Sequence, residues 1–386
     1  MDFKFNEDQL MMQKVCRDFI AKEVDPVVDE DDASHRFQRE LVNKMGELGF
    51  FGCCIPEEYG GTNTGFVAHA LLTEEIARAS GSLRAAFNMQ AMGTAREILQ
   101  FGNEEQKKKY IPKLVNAEWL GCIGITEPNA GSDVASMKTR AVKKGDHYIL
   151  NGAKNWITYG EVADAGIFYA YTDPEKKHRG ISAFIVDMHL PGITTASMGE
   201  KLGWCSCPTS NVFFEDVKIP AANLLGKEGD GFIYCMKGLD NTRLSAAAGG
   251  LGVAQGLLDE SVKYANERVQ FGKPISHFQM VQEVIARMVT DVEAARLLTY
   301  RAAALKDEGV HSTIETCMAK YFACDVASRV ADLALQVLGA YGYSREYRVE
   351  RYLRDAKVNQ LLEGSVNVQK MIIGGDALGI GPKRGV

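Results

Sequence analysis

Apolar positions in the first third of the chain recur every three to five residues. From Asn6 to about Ala117 that interval is set by residues such as Leu10, Val15, Phe19 and Val24, the mark of helices that turn one apolar face to a core. Breaks are expected at Pro26, at Ile55-Pro56-Glu57-Glu58-Tyr59-Gly60-Gly61 and at Phe101-Gly102-Asn103, the last leading into a charged helix start. Gly81-Ser82-Leu83-Arg84 interrupts the run once more before a Met- and Ala-rich segment. Arg84 is a cation beside an apolar segment, either solvated at a helix end or buried to meet an anion.

Around Cys122 the period shortens. Tyr148-Ile149-Leu150, Asn151-Gly152 and Lys154 to Thr158 read as a hairpin, because Asn-Gly accepts the positive φ of a tight turn. Gly166 to Thr172, Ile181 to Met188 and Asn211 to Phe214 are further strands. With no helix between them, the sheet is expected to be antiparallel and barrel-like or sandwiched, ending near Pro220 to Gly231.

Helical spacing returns at about Phe232. Val281, Val284, Ile285, Met288, Val292, Ala295 and Leu298 form one stripe that stops near Gly309; Ser312-Thr313-Ile314-Glu315 has capping-box spacing before a second stripe, Met318, Phe322, Val326, Val330 and Leu333. Two long antiparallel helices with a short connection imply a bundle. The chain is therefore expected to be mainly α with a central β domain, divided at 1–119, 120–230 and 231–386.

Composition narrows the function. The chain has 386 residues, enough for more than one core, and its 46% apolar and 24% charged residues are ordinary for a globular protein, with disorder expected only at the tail. A net charge of -6 without a long basic run argues against general nucleic-acid binding. No apolar run approaches the roughly 20 residues of a membrane span, and the acidic, amphipathic Met1 to Leu10 does not read as an export signal, so a cytoplasmic protein is expected. The 9 cysteines form no CxxC pair and the 7 histidines are scattered, so reduced thiols and no metal site are expected; Cys205-Ser206-Cys207 has poor spacing for a relaxed disulfide.

Few segments carry candidate chemistry. Gly250-Leu251-Gly252 with Gly256 has the look of a dinucleotide loop but lies inside an alanine-rich helical stretch, where small residues permit close packing. Ile125-Thr126-Glu127-Pro128-Asn129-Ala130-Gly131-Ser132-Asp133 crowds hydroxyls and glycine-exposed amides into a loop suited to a heteroaromatic ring or phosphate, with Trp156 and Thr158 able to add a stacking face and a hydroxyl. Arg268-Val269-Gln270-Phe271-Gly272-Lys273 sets a cation and an aromatic ring at a helix end. In Gln360-Leu361-Leu362-Glu363-Gly364-Ser365-Val366-Asn367, Glu363 stands at a break among apolar neighbours. Partial desolvation there raises a carboxylate's proton affinity toward that of a useful base; a helix-capping or ion-paired glutamate is the alternative.

Taken together these segments resemble the acyl-CoA dehydrogenase family over essentially the whole chain. The matching stretches are Ile125 to Asp133, Asn151 to Thr158, Asn241-Thr242-Arg243, Glu267 to Lys273, Gln336 to Tyr343, Arg354-Asp355-Ala356-Lys357 and Glu363-Gly364-Ser365. The resemblance implies an N-terminal helical domain, a central β domain, a C-terminal four-helix bundle and a homotetramer. It implies FAD, with Ile125, Thr126, Ser132, Trp156 and Thr158 around the flavin and its phosphates, and Arg268, Gln270, Phe271, Gln336 and Gly339 reaching the pyrophosphate and adenosine end across a subunit interface. Ser365 and Asn367 fall at further FAD contacts, although Asn367 stands where the family often has glutamine.

Glu363 matches the family's base, which takes the α-proton of an acyl-CoA while the β-hydrogen leaves as hydride to flavin N5; the electrons pass on to an electron-transfer flavoprotein. Ser132, Arg243, Leu362 and Gly364 match substrate contacts. Gly81 to Met89 and Leu362 to Val368 most resemble the glutaryl-CoA dehydrogenase branch, with Arg84 meeting a distal carboxylate. Decarboxylating members carry tyrosine before the glutamate, where this chain has Leu362, so dehydrogenation without loss of carbon dioxide is expected. The branch also contains enzymes for alicyclic acyl-CoA esters of anaerobic aromatic degradation, and Leu362 beside Phe87 and Met89 suits such a ring. Reduction of an enoyl-CoA by the same residues, or a non-catalytic acyl-CoA-binding subunit, are the alternative functions.

Overall fold

A computed structural model describes residues 4–380; Met1 to Phe3 and the tail from residue 381, where disorder was expected, lie outside the described residues. The first third is helical: α1 (Glu7–Phe19), α2 (Val28–Ser34), α3 (Arg39–Glu47), α4 (Gly65–Ala79), α5 (Gly81–Asn88), α6 (Ala95–Phe101) and α7 (Glu104–Val115). The Asn103 break is a capping box: its side chain accepts from the Gln106 amide while Gln106 reaches back. Of the first apolar series, Phe19 and Val24 are buried, whereas Leu10 and Val15 stay on the surface and Cys16 takes the inward position. Between α5 and α6 the chain widens into a π turn, Met89–Thr94. From it, the Gln90 side chain donates to the Leu114 and Trp119 carbonyls and accepts from the Gly121 amide, welding the helices to the sheet.

The sheet comprises β1 (Gly121–Gly124), β2 (Arg140–Lys144), β3 (His147–Thr158), β4 (Ala165–Tyr171), β5 (Ile181–Asp187), β6 (Ile193–Ser197), β7 (Thr209–Pro220) and β8 (Leu224–Leu225). Its main path runs β6-β7-β3-β2-β4-β5-β8, with β1 beside β4. Most pairs are antiparallel, as expected, but β1 and β2 both meet β4 in parallel. Nor is Asn151-Gly152 a turn. β3 runs straight through it, and the reversal lies at Gly145, φ 62°, between β2 and β3. At Asn151-Gly152 the pairing with β7 slips by a bulge. The Asn151 side chain exchanges hydrogen bonds with Asp216, and Gly152 is needed because a Cβ would stand 2.5 Å from Thr139 Oγ1.

The last third contains α8 (Gly231–Glu267), a two-strand ribbon of β9 (Val269–Gln270) and β10 (Lys273–Pro274), α9 (Gln279–Asp307), α10 (Thr313–Leu338), α11 (Val349–Asn359) and α12 (Val366–Ala377). Three long helices pack together, and α10 carries both short helices α11 and α12 on its flank. The Ser312 side chain caps nothing; Glu315 turns instead to Arg301 of α9, 3.6 Å away. The Met318–Phe322 side of α10 is half-buried, while the face pressed on α8 is made of Ala319, Ala323, Ala327 and Ala331. Small residues let α8 approach its neighbours: a Cβ on Gly250 would lie 3.1 Å from the Ala323 backbone of α10, and one on Gly252 2.3 Å from the Glu74 carbonyl of α4. This close packing is the role expected for those glycines.

Candidate functional site

Glu363 lies in the loop between α11 and α12, closed by the Val366 amide on the Gln360 carbonyl at 3.0 Å. Two groups anchor α11 beneath it. Arg354 pairs with Asp32 and Glu350, each at 2.7 Å, and Asp355 accepts from the Trp204 amide at 2.7 Å. In the loop Glu363 has φ 53° and Gly364 φ 76°, a left-handed pair in which the glutamate bears strain of about 1 kcal/mol or more. Its carboxylate is neither a helix cap nor ion-paired within 4 Å among the described residues. Oε1 accepts from Asn88 Nδ2 at 3.1 Å, and Oε2 accepts from Thr242 Oγ1 at 2.5 Å.

Cations surround this carboxylate without bonding to it. Arg84, on α5, is 2% exposed, so it is not solvated at a helix end; its Nε and one terminal nitrogen have no hydrogen-bond partner. Burial pulls its pKa down, opposed mainly by the charge of Glu363. Its guanidinium lies 5.7 Å from the Trp204 ring centroid. Arg243, 6% exposed, stands 3.8 Å from Asp240 and also keeps an unpartnered Nε. Leu362 packs, half-buried, on the N-terminal core, as does Met89, whereas the buried Phe87 ring is stacked on His69 at 4.9 Å and belongs wholly to that core.

Sequence reasoning passed over Glu97. On α6 it is 2% exposed and accepts from Tyr169 Oη of β4 at 2.7 Å. Burial, with a further push from Glu363, raises its pKa to about 8 against the Tyr169 hydrogen bond. The folded state therefore keeps a proton that the unfolded chain releases near 4.5, and stability drains away as pH rises from about 4.5 to about 8. Replacing Glu97 by Gln, which keeps an acceptor for Tyr169, is expected to flatten the decline in melting temperature between pH 5 and 8, leaving the smaller part due to buried Asp355, whose pKa burial raises to about 6. Equal slopes for the two proteins would remove Glu97 as the cause.

A second constellation lies on the sheet. The 125–133 loop is pinned by a buried ion pair, Lys154 Nζ to Glu127 at 2.8 Å, which no sequence pattern joins; Glu127 also accepts from the Thr139 amide at 3.0 Å. The Asn155 amide donates to the Thr126 carbonyl at 2.8 Å, tying the loop to a bulge in β3. That bulge puts Trp156 at φ 59° and leaves it 58% exposed. For a bulky residue this conformation is an outlier that functional sites often keep. Ile125, Thr126 and Thr158 are half-buried, and Ser132 is exposed.

The third group stands apart. Arg268 caps the end of α8 and lies 5.3 Å from the Tyr341 ring centroid, next to Gly339 at the end of α10. Gln270 and Gln336 are exposed, and Phe271 is 94% exposed with φ 52°. Thr242 lies within α8 and Arg268 at its C-terminal cap, so the helix separates them by about 39 Å at 1.5 Å per residue. Ser365 and Asn367 line a groove of about 710 Å³ with Arg287, Arg329 and Lys370. Among the described residues no group of three or more His, Cys, Asp or Glu side chains is placed to hold a metal, and no helix is long and apolar enough to cross a membrane.

Models of the acyl-CoA dehydrogenase N-terminal, middle and C-terminal domains match residues 6–118, 122–217 and 229–378. A glutaryl-CoA dehydrogenase of Desulfococcus multivorans is 51% identical over 98% of this chain and 99% of its own. The caffeyl-CoA reductase-Etf complex subunit CarC of Acetobacterium woodii is 42% identical over 96% of this chain and 98% of its own. The structure of a glutaryl-CoA dehydrogenase in complex with glutaryl-CoA superposes with TM-score 0.96 at 51% identity, covering 98% of this chain and 97% of the other. The chain belongs to the acyl-CoA dehydrogenase family, whose members are FAD-dependent oxidoreductases.

Proposed function

We propose that this protein dehydrogenates a short dicarboxylic acyl-CoA, glutaryl-CoA above all, at the α,β-position and keeps the distal carboxylate. The observation that carries the substrate is Arg84: a guanidinium 2% exposed, with two unpartnered nitrogens and no carboxylate within ion-pair distance among the described residues. An uncompensated buried charge costs several kcal/mol, and a ligand carboxylate is the complement that removes the cost. The ring-shaped alternative loses support, because Phe87 is committed to the N-terminal core.

The residues present fit FAD. Trp156 offers an exposed flat face beside the 125–133 loop and Thr158, while Arg268, Gln270, Phe271, Gln336 and Gly339 offer a cation, exposed amides and a ring at the far end of α8. By the family resemblance that end serves the cofactor of a second copy, and the working enzyme is a homotetramer. When bound, FAD supplies the two-electron oxidant.

Glu363 then accepts the α-proton on a carboxylate oxygen, with Asn88 and Thr242 fixing where that oxygen points. Its own backbone amide hydrogen has no acceptor among the described residues and is free for the thioester carbonyl; such a donor is commonly worth about 3 to 4 kcal/mol as charge develops on the oxygen. Leu362 brings no hydroxyl to the site, in keeping with retention of the carboxylate. An electron-transfer flavoprotein is the acceptor, in line with the Etf complex named for the Acetobacterium relative. That relative's name, a reductase, favours reduction of an enoyl-CoA as the second reading.

The test is a panel of glutaryl-, butyryl-, cyclohexanecarboxyl- and cyclohexenecarboxyl-CoA on FAD-loaded protein, with product masses recorded. Glutaryl-CoA should react best and lose two hydrogens only. A product lighter by carbon dioxide overturns the role of Leu362, and protein that stays colourless after FAD is added overturns the whole assignment.

A further inference from the structure

Lys320 has no place in the family resemblance or in the chemistry above. It lies on α10 with 0% exposure, where a charged side chain is costly. Among the described residues it has no carboxylate within 4 Å. Its single hydrogen bond runs from Nζ to the Gly364 carbonyl at 2.9 Å. The same oxygen accepts from Gln369 Nε2 of α12 at 3.0 Å. One carbonyl in the Glu363 loop is thus gripped from two helices, immediately after the left-handed Glu363-Gly364 pair.

From this geometry we propose that Lys320 is a positioning residue for Glu363, holding the strained turn through the Gly364 carbonyl. The inference rests on the reading of Glu363 as the base. The hydrogen bond resists relaxation of the turn, so the carboxylate keeps its place between Asn88 and Thr242. Burial holds the Lys320 ammonium below the usual lysine range, so the contact with the Gly364 carbonyl is what this side chain gains in return for its place in the core.

Two substitutions test the clamp. Lys320→Gln keeps a donor for the Gly364 carbonyl; Lys320→Met removes it. In FAD-loaded protein, kcat of Lys320→Met should be about tenfold below that of Lys320→Gln, with the KM for acyl-CoA and the flavin spectrum changed little. Equal kcat in the two variants overturns the clamp, as does a loss carried by KM. If Lys320→Met does not fold, Lys320→Arg replaces it: the longer side chain misplaces the donor, so kcat should fall with KM unmoved. Normal turnover by Glu363→Gln refutes the base, whereas equal kcat for Lys320→Gln and Lys320→Met with Glu363→Gln inactive refutes the clamp alone, so the two failures are distinguishable.

Discussion

Replacing Glu363 by Gln is expected to abolish bleaching of bound FAD by substrate while leaving FAD in place. The carboxamide has nearly the same shape as the carboxylate. Its oxygen accepts from Asn88 Nδ2 or Thr242 Oγ1, and the Thr242 hydroxyl can turn to accept from the new NH₂, so both present contacts find partners. The loop conformation is set by backbone bonds and by the Gly364 carbonyl, neither of which the substitution touches. What disappears is a basic oxygen. A positioned general base contributes about 10² to 10⁴ in rate, and here no second carboxylate is free to replace it, because Glu97 is held to a pKa of about 8 by burial and is bonded to Tyr169. Anaerobic single turnover should therefore slow by about 10³-fold or more, with acyl-CoA affinity changed little. Normal single-turnover rates would place the base elsewhere.

Hydropathy discloses some of these features and hides others. Met288, Val292 and Ala295 of α9 are buried as their spacing predicts, because an exposed helix has one inside face and its period reports it. The middle of α8, Leu244 to Leu258, is covered on several sides, so its sequence is mostly small and apolar all round and says little about direction. Asn151-Gly152 misled because a positive φ serves a bulge as well as a turn, and only the partner strand, with Asp216 and Thr139, decides between them. The site suffers more. Glu97, Lys154 and Lys320 are charged, and a charged residue in a periodic pattern reads as solvent-facing. Each is buried because of one distant partner, Tyr169, Glu127 or the Gly364 carbonyl. Glu363 and Trp156 were visible through motif resemblance, but the left-handed backbone that presents them leaves no trace in composition beyond the adjacent Gly364.

Replacing Arg84 by Ala is expected to lower kcat/KM for glutaryl-CoA far more than for butyryl-CoA. A charge-assisted hydrogen-bonded pair is worth about 1.5 to 3 kcal/mol, or roughly 10- to 150-fold at about 1.4 kcal/mol per tenfold. Two side effects accompany the substitution and fall on both substrates. The guanidinium packs near Trp204 and against Gly249, where a Cβ would stand 2.4 Å from Nε, so its removal leaves space in a tight region. It also removes a cation that interacts with Glu363, a loss that falls on both substrates alike. The ratio of the two specificity constants, taken on the pH plateau, cancels both effects and isolates the distal carboxylate. A ratio that falls by tenfold or more, carried mainly by KM, identifies Arg84 as the anchor. If both substrates lose equally, Arg84 serves only packing and its interaction with Glu363, and the dicarboxylic assignment falls with it.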